Sequence, residues 1–110
     1  MTKTKVWIKP LSVNKVWKGK RYKTDDYKAY EKEVWYLFPK SQVIPKGEIR
    51  VTVTFGVSNR NEDLDNFLKP WIDIMQKMYK FNDNKIYELF VRKQKVEKGK
   101  EYIEFNIEKL

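Results

Sequence analysis

Ile49-Arg50-Val51-Thr52-Val53-Thr54-Phe55-Gly56-Val57-Ser58-Asn59-Arg60-Asn61-Glu62-Asp63-Leu64-Asp65-Asn66-Phe67-Leu68-Lys69-Pro70 changes its periodicity partway along. Ile49, Val51, Val53, Phe55 and Val57 alternate with Arg50, Thr52, Thr54, Gly56 and Ser58, the period of a strand with one apolar face. Asn59-Arg60-Asn61 reads as a loop. Leu64, Phe67, Leu68, Trp71, Ile72, Met75, Met78 and Tyr79 then recur at three and four. That spacing predicts an amphipathic helix over residues 66–80. A long strand feeding a short loop is a rigid mount for whatever the loop carries. With Asp65 as the cap, Pro70 falls at the fifth helical position and leaves the Asn66 carbonyl without its helical donor. The helix is expected to open later than its apolar pattern, or to bend in its first turn.

Outward from this unit, Thr24-Asp25-Asp26 has the chemistry of a helix start. Tyr27, Tyr30, Val34, Leu37 and Phe38 form the apolar stripe that follows, and Pro39 ends it. The stripe is read as core. Val6-Trp7-Ile8 is a short strand stopped by Pro10, and Leu11 to Lys23 is a polar, basic loop. Beyond the second helix, Asn82-Asp83-Asn84 is a turn and Ile86 to Val96 a strand. Glu97-Lys98-Gly99-Lys100 reads as a hairpin turn with glycine in the left-handed position. Tyr102 to Ile107 is the return strand, with Ile103, Phe105 and Ile107 on one face. The expectation is one α+β domain over residues 1–110, with a small mixed or antiparallel sheet of about four strands and two helices.

Composition narrows the function. The net charge is +9, from 24 basic residues against 15 acidic ones. A lysine-rich soluble surface would explain it, and so would a polyanionic partner. Residues 1–23 carry seven lysines and one arginine with no acid, interleaved with Trp7, Trp17 and Tyr22, which favours nucleic acid. No apolar run reaches ~18 residues and the start lacks the apolar region of a signal peptide. Without cysteine there is no disulfide framework, so a cytoplasmic protein is expected. The chain also has no histidine. Imidazole acid–base catalysis, Ser-His and Cys-His nucleophiles and His-ligated zinc are therefore excluded. An enzyme built from this alphabet must use carboxylates, lysines, hydroxyls and a hard cation, and all-oxygen ligands suit Mg²⁺ or Mn²⁺.

Asp63 and Asp65 carry that chemistry. In extended chain, residues two apart point to the same side, and a divalent cation between them relieves their repulsion. Asp65, Lys69 and Asp73 follow at steps of four, on one helix face. The plainer account is that Asp63 and Asp65 only cap the helix and Lys69 pairs with Asp65, and for a bare D-x-D it is the commoner one. The basic background, the lack of other catalytic chemistry and a third aspartate, Asp83, raise the functional reading.

Asp63-Leu64-Asp65-Asn66-x-x-Lys69, then Asp73, then Asn82-Asp83-Asn84-Lys85-Ile86 resembles the RusA family of Holliday-junction resolvases of phages and prophages. Pro10-Leu11-Ser12-Val13-Asn14-Lys15 matches the family's N-terminal motif. The resemblance implies a homodimeric, Mg²⁺-dependent endonuclease of the bacterial cytoplasm that nicks four-way DNA junctions symmetrically. It implies Asp63, Asp65 and Asp83 as metal-binding catalytic carboxylates and Lys69 as the accompanying catalytic lysine. Asn14, Lys15, Lys18, Lys20, Arg21, Arg60 and Asn66 are the DNA-contacting candidates. Two positions depart from the family pattern: Asn82 stands at the first place of an acidic doublet, and Glu62 where a positive charge is usual.

A helix over 66–80 would rise ~22 Å at ~1.5 Å per residue. Asp63 and Asp65 would then stand at one end and Asp83 at the other. The three share a metal only if the helix is shorter, the chain doubles back, or Asp83 comes from a partner subunit. Trp17 and Tyr22 either stack on bases at the crossover or pack in the core. The rival classes are a non-catalytic basic nucleic-acid-binding protein and a nuclease acting on RNA.

Overall fold

The structure is a computed structural model that describes residues 3–12, 17–18, 22–23, 25–58 and 63–110. Two helices cover one face of a four-stranded sheet. The chain runs β1 (Thr4–Val6), β2 (Trp17–Lys18), β3 (Tyr22–Lys23), α1 (Asp25–Leu37), β4 (Ile49–Val57), α2 (Leu64–Tyr79), a 3₁₀ turn (Asp83–Lys85), β5 (Ile86–Lys95) and β6 (Tyr102–Lys109). The sheet order is β1-β6-β4-β5. β4 pairs in parallel with β5 and antiparallel with β6, so the sheet is mixed.

β4 forms where the sequence alternates most cleanly, and Ile49, Val51, Val53, Phe55 and Val57 are all buried. As a central strand it is covered on its apolar face by both helices. Trp71 of α2 meets Phe55 edge-on at 6.0 Å and Phe105 of β6 at 5.5 Å. Phe38, just past α1, stacks on Phe105 at 5.5 Å. Tyr27, Tyr30 and Val34 of α1 close the core beside Phe67, Ile74, Met75 and Met78 of α2. Each fully buried aliphatic or aromatic side chain contributes roughly 1.5–3 kcal/mol, which makes this interface the main source of stability.

Among the described residues, no helix covers the other face of the sheet. Arg50 on β4 reaches sideways to both neighbours there, with Nε 2.7 Å from Glu88 Oε1 and Nη1 3.9 Å from Glu108 Oε1. These ion pairs are exposed and screened, so they set register more than they stabilise.

Several expectations are corrected. Glu97–Lys100 does not close a hairpin between paired strands: β4 lies between β5 and β6, and the turn carries the chain across the end of β4. Gly99 does take the expected positive φ of 94°. Turn chemistry fixes a reversal of direction, whereas pairing is decided by which apolar face the strands share, and Val96 N–H donates to Val57 O instead. Leu37 is 40% exposed, because α1 ends there and Phe38 takes the core position. β1 lies at Thr4–Val6, two residues earlier than expected, in antiparallel register with Ile103–Phe105. The region expected to be only loop contains the ribbon β2–β3, with Trp17 opposite Lys23 and Lys18 opposite Tyr22.

The second helix opens at Leu64, earlier than expected, with Asp63 and not Asp65 at the cap. Pro70 lies inside the helix at its seventh position and is buried. The burial of its ring offsets the missing N–H to the Asn66 carbonyl, so the helix tolerates it.

Candidate active site

β4 ends at Val57 and α2 begins at Leu64, so the segment between them delivers Asp63 to the helix start. Asp63 has φ −70° and ψ 147°, the extended geometry of a cap, and its carbonyl accepts from Asn66 N–H at 3.1 Å. Its carboxylate makes no capping hydrogen bond. The side chain that would ordinarily satisfy the first helical amides is therefore left for something else. Asp65 is exposed in the first turn, and Lys69 is exposed one turn further on. Among the described residues no ion pair joins Lys69 to Asp65 or to Asp73. Asp63 does occupy the cap position, as the plainer account has it, but without a side-chain cap bond, and the expected ion pair from Lys69 is absent among the described residues. Two carboxylates and an ammonium stand at one exposed helix end, with no side-chain hydrogen bond or ion pair to another described residue.

Asp83 is placed by the other end of α2. Lys80 takes a left-handed conformation, φ 56° and ψ 56°, and stops the helix. Gln76 Oε1 accepts from the Asp83 backbone N–H at 2.8 Å, and Asn82 Oδ1 accepts from Asn84 N–H at 3.0 Å. Lys85 Nζ donates to Pro45 O at 2.7 Å, and Tyr79 hydroxyl donates to Pro39 O at 2.7 Å. These bonds pin the turn between α2 and β5 and leave the Asp83 carboxylate exposed. Among the described residues no three acidic groups come close enough to share a metal within one chain. Asp63 caps α2 while Asp65 and Lys69 lie within its first two turns, so Asp65 is helical and not extended as expected, and Asp83 lies beyond the far end. The helix is not shortened and the chain does not double back.

Asn66 lies in the first turn of α2, half-buried, and Lys18 lies in β2. Asn14, Lys15, Lys20, Arg21 and Arg60 lie outside the described residues, as do Thr24 and Glu62.

Sequence reasoning missed Glu101 and Ser58 at the aspartate end of the sheet. Ser58 hydroxyl donates to Glu101 Oε2 at 2.8 Å, and Gly99 N–H donates to Glu101 Oε1 at 2.9 Å. The Ser58 bond is the main cause holding the Glu101 carboxyl below its ordinary value. Beside them a cleft of about 350 Å³ runs between the N-terminal segment and α1, lined by Lys9, Ser12, Asp26, Phe67 and Glu101 among others. No local signal marks this pairing, because the two residues meet only through the β4–β6 register.

An oxygen-only acidic helix end on a strongly basic α+β scaffold has the chemistry for metal-assisted hydrolysis of a polyanion. The family model described as "Endodeoxyribonuclease RusA" matches residues 9–108, and the chain belongs to that family. It is a Holliday-junction-resolving endodeoxyribonuclease, and the nucleases of this family are metal-dependent. The match spans the Pro10–Lys15 motif, the aspartates and Asp83. No curated protein matches the sequence. No described helix is long and apolar enough to cross a membrane.

Proposed function

We propose that the chain acts as a homodimer that resolves four-way junctions by paired nicks, each site combining Asp63, Asp65 and Lys69 of one subunit with Asp83 of the other. The observation that carries this is the unspent helix end: the exposed Asp63 carboxylate makes no cap and the exposed Lys69 no ion pair with Asp65. Carboxylate oxygens without nitrogen or sulfur ligands fit a hard divalent cation, Mg²⁺ by preference and Mn²⁺ as a substitute. When bound, the ion eases deprotonation of the attacking water and neutralises charge on the scissile phosphate.

Asp63 and Asp65 would hold the ion at the start of α2. Lys69, one helical turn on, lies within reach of the non-bridging phosphate oxygens and stabilises the charge that grows as water adds. Two α2 helices set antiparallel about a two-fold axis would bring the start of each beside the end of the other, which completes both sites at once. Two such sites on one dimer give paired cuts in a symmetric junction.

Substrate binding falls to the basic N-terminal region and the helix start. Lys15, Lys18, Lys20, Arg21 and Arg60 neutralise backbone phosphates, with Asn14 and Asn66 donating or accepting beside them. The single domain works in the bacterial cytoplasm and is encoded by a phage or prophage. The test is cleavage of a synthetic four-way junction with and without Mg²⁺. Cleavage is expected only with Mg²⁺ or Mn²⁺, and Ca²⁺ should permit binding without turnover. Metal-independent cleavage, or none under any ion, would overturn the reading.

A further inference from the structure

The sheet face opposite the helices carries aromatic and basic side chains that the catalytic site does not use. Trp7 is 63% exposed and meets Tyr102 edge-on at 5.9 Å. Lys5 Nζ lies 4.5 Å from the centre of the Trp7 ring and 4.3 Å from that of Tyr102. Gly56 sits opposite Tyr102 in the β4–β6 ladder, and a Cβ there would run into the phenol ring. The missing side chain lets the Tyr102 ring lie down across β4 as a fixed platform. Lys95 and Lys100 complete a depression of about 490 Å³ around these rings. Glu97 is the one acid among the described residues that line it, and its pair with Lys100 is long, 3.8 Å, and exposed. Such a pair is weak and leaves Lys100 available to an anion.

We propose that this depression is a docking site for an unpaired base of single-stranded DNA, which stacks on Trp7 while Lys5, Lys95 and Lys100 take the adjoining phosphates. The inference rests on the DNA substrate of the family and reaches beyond the cleavage site. An exposed indole beside a flat phenol offers a π-face that every base can use, and three lysines around it match a phosphodiester backbone. Isolated exposed aromatics are ordinary, but here two rings are fixed against each other, held by a cation and backed by a glycine.

Its place in the fold fits a branched substrate. Gly56 and Val57 close β4, Lys95 pairs with Val57, and Tyr102 opens β6. The depression is therefore at the sheet end from which the chain leaves for Asp63. Five residues lie between Val57 and Asp63, so six Cα–Cα steps reach at most ~21 Å. A strand opened at a crossover could leave a base here while its neighbouring phosphate is presented to the aspartates.

The test is fluorescence anisotropy of a labelled short oligo(dT) with the full-length protein in EDTA, where no cleavage occurs, together with quenching of tryptophan emission. Trp7→Ala is expected to weaken binding about 5- to 100-fold, the range for loss of one stacked base. Trp7→Phe keeps a ring and should recover most of that loss. Replacing both Lys95 and Lys100 by alanine should make the salt slope shallower by about 1.4, at about 0.7 per phosphate on single strands. Equal binding by Trp7→Ala and wild type overturns the site and leaves the face to some other partner. So does an equal loss in Trp7→Phe, or the same Trp7 dependence on a blunt duplex. The assay reads binding in EDTA and needs no cleavage, so failure here is separable from failure of the cleavage reading, which the junction assay with Mg²⁺ reads alone.

Discussion

Asp63 stands at the cap of α2 and Asp83 opens the turn beyond its far end, so the whole helix lies between them. Its 16 residues rise ~24 Å at ~1.5 Å each. Oxygen ligands of Mg²⁺ lie at ~2.0–2.1 Å from the ion, so no single ion bridges that gap. Pairing two subunits removes the difficulty, because the start of one helix can face the end of the other.

Asp63→Asn and Asp83→Asn should each lower junction cleavage by about 10³-fold while binding in Ca²⁺ persists. A mixed dimer of the two variants has one site with both substitutions and one with neither. Randomly mixed subunits should recover about a quarter of wild-type nicking, since half the dimers are mixed and each has one intact site. The recovered product should be nicked junctions, not resolved duplexes. A denaturing gel beside a native gel reads both; if mixing recovers nothing, the shared site is wrong.

Lys69 is exposed, and no ion pair holds it among the described residues. Its replacement should therefore cost little stability. Lys69→Ala is expected to reduce kcat by about 10²-fold with little change in the Kd for junction in Ca²⁺. Lys69→Arg keeps the charge and should retain more activity. A raised KM with unchanged kcat would instead make Lys69 a residue of ground-state binding.

The parts legible in the sequence were those with local causes. Alternation over Ile49–Val57 gave β4, because a central strand must hide one face and nothing else in the chain repeats at two for so long. The Leu64–Tyr79 stripe gave α2, although the cap was misplaced: Asp63 and Asp65 are both cap-competent, and only backbone conformation separates them. The neighbours of β4 were not legible. A Glu97–Lys100 reversal satisfies its own turn chemistry whether the flanking strands pair or straddle a third. The spacing of Asp63, Asp65 and Lys69 marked them as candidates, and the structure puts all three at the start of α2. Asp83 was recognisable by its motif but not placeable, since its distance from the pair depends on an assembly that no single chain encodes locally. The Ser58–Glu101 bond and the Gly56–Tyr102 contact arise from strand register alone and left no mark in the sequence.

Glu101 supplies a pH test of that register. Ser58 and Gly99 donate to its carboxylate, and its pKa is lowered from the ordinary 4.5. A carboxyl whose folded pKa lies below its unfolded value contributes stability above the unfolded value. The contribution is lost as pH falls through 4.5 toward the folded value. Ser58→Ala removes the largest cause, so the variant should lose stability relative to wild type near neutrality and converge with it in acid. Urea unfolding across that range measures the difference; a constant gap between the two proteins would show that the Glu101 titration is not coupled to folding through Ser58.

Trp71 tests the core that holds the site. It is 0% exposed and packs against Phe55 and Phe105. Trp71→Ala removes the largest fully buried side chain and leaves a cavity, at a cost of about 3–5 kcal/mol. That is a large share of the ~5–15 kcal/mol available to a domain of this size. Its indole N–H finds no hydrogen-bond partner among the described residues, so Trp71→Phe loses ring area but also removes a buried donor without such a partner. The two effects oppose, and Trp71→Phe should cost only about 1 kcal/mol. The expected order in urea midpoint is therefore wild type, then Phe slightly below, then Ala far below, with similar m-values. Because Trp71 lies on the α2 face opposite Asp65 and Lys69, the phenylalanine variant should keep wild-type cleavage well below its melting temperature. A cleavage loss in that variant without a stability loss would mean that the helix does not act as a rigid carrier of the aspartates.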